Sequence, residues 1–164
     1  MEAIQNEQKL KLQAVEHYAN LNCGFDFAAT LTFRHEPSSV RWAQGEFRQF
    51  MNWLNCICYG QNWFRKAKHC PSKRVAVIPV LEDGFGTKRL HYHCAFARPS
   101  HIKPWKFALA IDVLWSETRS GSSKHNKIVL IDDLPGWLDY ITKEVFPSIP
   151  ETNDKIDVLN MHVY

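Results

Sequence analysis

Residues 74–96 read RVAVIPVLEDGFGTKRLHYHCAF, and this stretch decides the fold. Arg74 to Glu82 is β-branched and apolar at successive positions, the pattern of a strand buried on both faces of a sheet. Asp83-Gly84-Phe85-Gly86 is turn chemistry, because glycine adopts backbone angles that other residues resist. Leu90 to Phe96 returns as an antiparallel partner strand. Alternation there sends Leu90, Tyr92, Cys94 and Phe96 to the core and puts His91 and His93 together on the opposite face. Pro79 is awkward in a central strand. It has no N–H for a ladder, so the sequence predicts a bulge or an unpaired edge at that point.

Upstream of the hairpin, Phe27 to Phe33 (FAATLTF) reads as a strand with Phe27, Ala29, Leu31 and Phe33 on one face and Ala28, Thr30 and Thr32 on the other. Ser38 or Ser39 then offers an N-cap for a helix over 39–59, whose Phe47, Phe50, Met51, Leu54 and Cys58 form one apolar stripe. The basic stretch 61–74 reads as a solvated linker or as a phosphate-contacting loop. Downstream, a helix is predicted over 104–117 with Trp105, Phe107, Ala108, Ile111 and Trp115. A flexible loop over 119–126 and a short strand over 127–131 follow. Asp133 and Pro135 start a last helix that ends near Glu144 or Val145. Residues 3–20 read as a helical preface, and the tail from Lys155 as a further strand or a loose end. The order β-α-β-β-α-β-α is that of a split βαβ, ferredoxin-like α+β fold. Its helices cover one face of an antiparallel sheet and leave the other open.

The 164 residues correspond to roughly one domain: a helical extension over 1–22, a core over 27–145 and a tail over 146–164. At 45% hydrophobic and 23% charged, the chain is ordinary for a folded protein. No apolar run reaches the roughly 20 residues of a membrane span. The opening MEAIQNEQKLKLQ lacks the layout of a signal peptide, so an intracellular protein without membrane contact is expected. The formal charge of +3 is too small to point to nucleic acid by itself. Five cysteines without a CxxC pair argue for reduced thiols rather than a disulfide framework or zinc ribbon.

Two imidazoles aimed together at open sheet surface can share a divalent metal. Glu82 ends the preceding strand, and the hairpin folds that end back beside the histidines. Two nitrogens, one carboxylate and open positions suit Mg2+ or Mn2+, with zinc a further option. Tyr140 and Lys143 lie three apart on the last helix and are near neighbours. They stand off the stripe formed by Trp137, Leu138, Ile141 and Val145. A phenol beside an ammonium is a candidate nucleophile, since the cation favours the phenolate.

The ATLTF strand, Glu82 followed by LHYHCAF, and YITKE together resemble the HUH endonucleases, and most closely the replication-initiator (Rep) branch that drives rolling-circle replication. The histidines precede the tyrosine here, whereas relaxases of that superfamily usually have the reverse order. Small HUH transposases share the order but usually lack the lysine. The resemblance covers roughly residues 27–145. It implies that Glu82, His91 and His93 hold Mg2+ or Mn2+, and that Tyr140 attacks the scissile phosphate of single-stranded DNA. The products would be a 5′-phosphotyrosine link and a free 3′-OH, with Lys143 steadying the tyrosine or the developing charge. The open sheet face would be the floor of the strand's groove, with Thr30 and Thr32 on it and Lys88, Arg89, Arg98, Lys103 and Lys106 along its rim.

With one YxxK tyrosine, this would be a single-tyrosine enzyme. No GxxxxGK[ST] motif is present, so either unwinding at the replication origin would need a separate helicase or this chain is the nuclease piece of a longer protein, and synthesis would need a host polymerase. The compartment would be a bacterial cytoplasm or, for a eukaryotic virus, the host nucleus. The competing readings are a non-catalytic ferredoxin-like module for single-stranded nucleic acid, and a related HUH transposase or relaxase.

Overall fold

A computed structural model describes residues 24–82, 89–142, 156–157 and 159–163. The expected N-terminal helix, the tip of the hairpin with Lys88, and the segment that holds Lys143 lie outside the described residues. The elements run β1 (Phe27–Thr32), α1 (Val40–Tyr59), α2 (Trp63–His69), a 3-10 turn (Pro71–Lys73), β2 (Ala76–Glu82), β3 (His91–Ala97), α3 (Pro104–Glu117), β4 (Lys127–Leu130) and α4 (Leu134–Thr142). The strands form one sheet in the order β2-β3-β1-β4, with every neighbouring pair antiparallel. This is the α+β, ferredoxin-like arrangement that the element order predicts. No described helix is long and apolar enough to cross a membrane.

Local chemistry sets the helix ends. Ser39 caps α1 by accepting from Trp42 N at 3.1 Å, which satisfies one of the amides a helix start leaves unpaired. Gly60, with φ +85°, ends it, and its N–H reaches Cys56 O. Asp133 does for α4 what Ser39 does for α1, accepting from Gly136 N at 3.1 Å. The basic stretch is neither a plain linker nor a loop. It folds into α2 and the 3-10 turn, none of whose residues is buried. Lys66 Nζ donates to Tyr59 O at 2.9 Å, and the Arg74 guanidinium lies 5.7 Å from the Trp63 ring. These contacts stand in for the apolar face that α2 lacks.

Alternation along the strands divides the interior in two. Phe27, Leu31, Tyr92, Cys94 and Phe96 join Phe47, Phe50 and Leu54 of α1 and Phe107, Ile111 and Trp115 of α3 in the main core. Trp115 is its centre, in edge or tilted contact with Phe33, Phe47, Phe50 and Tyr92. On the other face Ile78, Val80 and Ala95 pack under Leu138 and Ile141 of α4, with Ile156 beside them. α1 and α3 therefore cover one face, while α4 covers part of the other. What stays open is the end of that face bearing Thr30, Thr32 and His91.

Pro79 causes no bulge. Its position pairs with Cys94 in a register that runs unbroken from Ala76–Ala97 to Glu82–His91. Val77 exchanges hydrogen bonds with His162 on the outer side of β2, at 2.7 and 3.0 Å. Pro79, two residues on, faces the same way. Its carbonyl accepts from Asp157 N at 2.9 Å, and its missing N–H falls on the edge, where the β2–β3 ladder needs no donor. The tail thus lies along β2 as a partial added strand, through bridges at Ile156 and His162. The 119–126 segment is also held in place. Asn126 Oδ1 accepts from Thr32 N at 3.0 Å, and its amide donates to Asp112 Oδ1 at 2.9 Å and to Ser122 O at 2.7 Å.

Candidate metal centre

Sheet register assembles the site. Glu82 pairs directly with His91 across β2 and β3, and His93 pairs with Val80 on one side and Thr30 on the other. Directly opposite residues on one face lie within side-chain reach. Glu82 Oε2 is 2.9 Å from His93 Nε2 and 3.6 Å from His91 Nε2, and the two Nε2 atoms are 3.0 Å apart. Glu82 and His93 are buried, and His91 is partly exposed.

These three side chains can hold a metal ion. Two donors each about 2.1 Å from one ion, at octahedral to tetrahedral angles, lie about 3.0–3.4 Å apart. The three observed separations bracket that range. Two imidazole nitrogens and one carboxylate oxygen also leave positions free for other oxygens.

The outer ring nitrogens are held as well. His91 Nδ1 is 2.8 Å from Arg89 O. A carbonyl only accepts, so Nδ1 carries a proton, and Nε2 is the nitrogen that would ligate a metal. His93 Nδ1 is 3.1 Å from Thr30 Oγ1, so the same tautomer is available to it. Such partners orient a histidine for a metal and raise its basicity. Thr30, which sequence reasoning sets on the DNA floor, is therefore a partner of His93. Thr32 is turned to the 122–126 segment, donating to Lys124 O at 2.8 Å.

α4 brings Tyr140 to the group. Its ring centroid is 5.4 Å from that of His93, edge to face, and the ring stacks on Trp137 at 5.4 Å. Trp137 touches the His93 ring at 5.7 Å, and its indole N–H reaches Cys94 O at 3.3 Å. Leu138 and Ile141, on the buried side of the helix, hold it down, while Tyr140 is 43% exposed. Sequence reasoning placed Trp137 in the apolar stripe and missed its contact with the tyrosine.

The predicted cationic rim is divided. Arg89 lines a cleft of about 730 Å³ with Thr30, Thr32, Arg34, His91 and Lys124. Arg34 and Lys124 were missed because the sequence gives no sign that their loops meet at the end of β1. Arg98, Lys103 and Lys106 are not at the cleft. They follow the other end of β3, where Arg98 is about 23 Å from His91 at the rise of a strand. Arg98 is engaged there by Asp26, at 3.1 Å, and by Ile102 O, at 2.6 Å. Comparison with family models, curated proteins and solved structures found no match to this chain.

Proposed function

We propose that this chain nicks and rejoins single-stranded DNA with Tyr140 as the nucleophile and Glu82, His91 and His93 as the holders of Mg2+ or Mn2+. The observation that carries the reading is the 5.4 Å approach of the Tyr140 ring to His93, inside a donor group fit for a divalent ion. Such an ion supplies Lewis-acid polarisation of a phosphate oxygen and favours in-line attack.

The chain's own residues do the rest. Arg89 O and Thr30 orient the two imidazoles, and Trp137 limits the tilt of the Tyr140 ring. The Tyr140 oxygen forms a bond to phosphorus as the bond from phosphorus to the 3′ oxygen breaks. The phenolic proton leaves to solvent at the exposed side of the ring, and the 3′ oxygen takes up a proton. One phosphodiester is exchanged for another, so the reverse transfer rejoins the strand. Arg34, Arg89 and Lys124 flank the cleft next to the group and suit its approach by a phosphate backbone. In rolling-circle replication the freed 3′-OH would prime a host polymerase.

The test is a denaturing gel of the protein with a labelled pool of single-stranded oligonucleotides and Mn2+ or Mg2+. A covalent adduct is expected that EDTA prevents and Tyr140→Phe abolishes. An adduct that persists in Tyr140→Phe refutes the nucleophile. Binding without an adduct under every metal condition favours the non-catalytic module.

A further inference from the structure

The net charge of +3 conceals a sharp division along the chain. Residues 47–111 hold eleven Lys and Arg but only two acids, Glu82 and Asp83, a balance of +9. The remainder holds nine basic and fifteen acidic residues, a balance of −6. The fold gathers much of the basic share at one end. β2 leaves α2 and the 3-10 turn at its start and Glu82 at its finish, and the eight steps from Arg74 to Glu82 span about 26 Å. β3 runs back antiparallel, with Ala97 opposite Ala76, so Arg98 and the start of α3 return to the α2 end. Tyr59 joins the two parts. Lys66 donates to its carbonyl, and the His101 ring packs 5.5 Å from its ring.

Around that junction Arg65, Lys68, Lys73, Lys103 and Lys106 are all exposed. Two exposed aromatics stand among them. Phe64 lies 5.7 Å from the Arg65 guanidinium, and Trp105 lies 5.5 Å from Lys106 Nζ. α2 buries none of its residues, and only Trp63 and Ala67 are partly covered. A short helix kept on the outside and loaded with cations is suited to a partner.

We propose that this end of the molecule is a second nucleic-acid site, which grips the phosphate backbone of double-stranded DNA without reading its sequence. A duplex suits it better than a single strand. The exposed cations are spread over α2, the 3-10 turn and the start of α3, and a duplex presents one charge per roughly 1.7 Å of its axis. The site begins at the far end of β2, about 26 Å from Glu82 at the rise of a strand, and it needs neither metal nor Tyr140. It goes beyond the nicking reading and does not depend on it.

The probe is a 20-base-pair duplex of arbitrary sequence, titrated in EDTA with the Tyr140→Phe protein at several salt concentrations. Each phosphate contact contributes a slope of about −0.9 to log K against log salt. Five cations predict a slope of about −4 to −5. The triple variant Arg65→Gln, Lys68→Gln, Lys73→Gln changes only exposed side chains. It is expected to reduce the slope by about 2.7 and to weaken binding at least about tenfold at 0.1 M salt. The double variant Lys103→Gln, Lys106→Gln should act in the same direction, by about 1.8. Adduct formation with short single strands should survive in the triple variant with Tyr140 restored. Duplex binding that is unchanged in both variants overturns the proposal, as does a wild-type slope near −1. Loss of binding to phosphatidylserine vesicles, with duplex binding intact, overturns it in favour of a membrane.

Discussion

Thr30→Val tests whether the three donors act as a metal site with an organised surround. Valine keeps the shape of threonine and removes the hydroxyl that lies 3.1 Å from His93 Nδ1. Without metal the loss is easily absorbed. His93 Nε2 is 2.9 Å from Glu82 Oε2, so the ring can place its proton on Nε2, donate to the carboxylate and leave Nδ1 as a bare acceptor. With metal that escape closes. Nε2 must be bare to ligate, the proton must sit on Nδ1, and the variant removes the hydroxyl that lies beside it. A buried donor left unmatched costs about 1–3 kcal/mol, and the His93 side chain is only 5% exposed. At about 1.4 kcal/mol per tenfold, that is roughly a 10- to 100-fold loss of metal affinity, the range typical of such outer partners.

Calorimetric titration of Mn2+ into the wild type, Thr30→Val and Thr30→Ser measures it, with circular dichroism to confirm folding. Serine should restore most of the affinity. Thr32→Val is the matched control, because its hydroxyl serves Lys124 O and not a histidine. A Thr30→Val affinity within twofold of wild type, or an equal loss in Thr32→Val, would refute the argument.

Three further outcomes follow from the packing. Trp115→Ala should lower the stability measured by urea unfolding by about 3–5 kcal/mol, since the ring is fully buried among four aromatics. Trp105→Ala, at 61% exposure, should change it by no more than about 0.5 kcal/mol. Burial, and then the nearby Arg74 cation, hold His162 below its ordinary pKa. The unfolded chain therefore takes up a proton that the folded chain resists as pH falls through about 6.5. Stability present above that pH is lost below it, and a urea midpoint measured at pH 7.5 and 5.5 should fall further in wild type than in His162→Gln. Burial pushes the Cys58 thiol up to about 12 and raises Cys94 as well. Iodoacetamide at pH 8, read by mass spectrometry, should mark exposed Cys70 well before either, and urea should abolish the difference.

The parts of the site that were legible in the sequence rest on local rules. Period-2 alternation puts His91 and His93 on one face, and a short hairpin turns Glu82 to meet them. Ser39 and Asp133 announce helix starts by chemistry within a single turn. The parts that were not legible depend on partners far along the chain. Thr30 finds His93, 63 residues away, only through the β1–β3 register. The stripe of Trp137, Leu138 and Ile141 predicts a buried helix face but carries no sign of which side of the sheet receives it. α2 escaped notice because pattern reading looks for an apolar stripe, and this helix has none.

The cations show why nearness in sequence misleads on a strand. Arg89 and Arg98 flank β3 at its two ends and look equivalent as neighbours of the histidine pair. Yet a strand advances about 3.3 Å per residue, so the one reaches the cleft while the other lies about 23 Å from His91, paired with Asp26. Lys103 and Lys106 go with Arg98, toward α2. A chain that needed one binding face for DNA would have little use for cations at the end remote from its metal group. Two separated sites instead make sense of a rigid sheet between them. On the two proposals, one site would take a single strand beside the Glu82, His91 and His93 group, and the other would hold a duplex by charge alone. The distance between them then limits where along the DNA the tyrosine can reach. At about 3.4 Å per base pair, an offset of about 26 Å corresponds to roughly eight base pairs. On substrates with a single-strand to duplex junction, adduct yield should peak when the junction lies within about that distance of the scissile phosphate. The triple variant at the cationic end should flatten that dependence while leaving cleavage of short single strands alone. A yield indifferent to junction position in the wild type would mean that the two ends do not work on one DNA molecule.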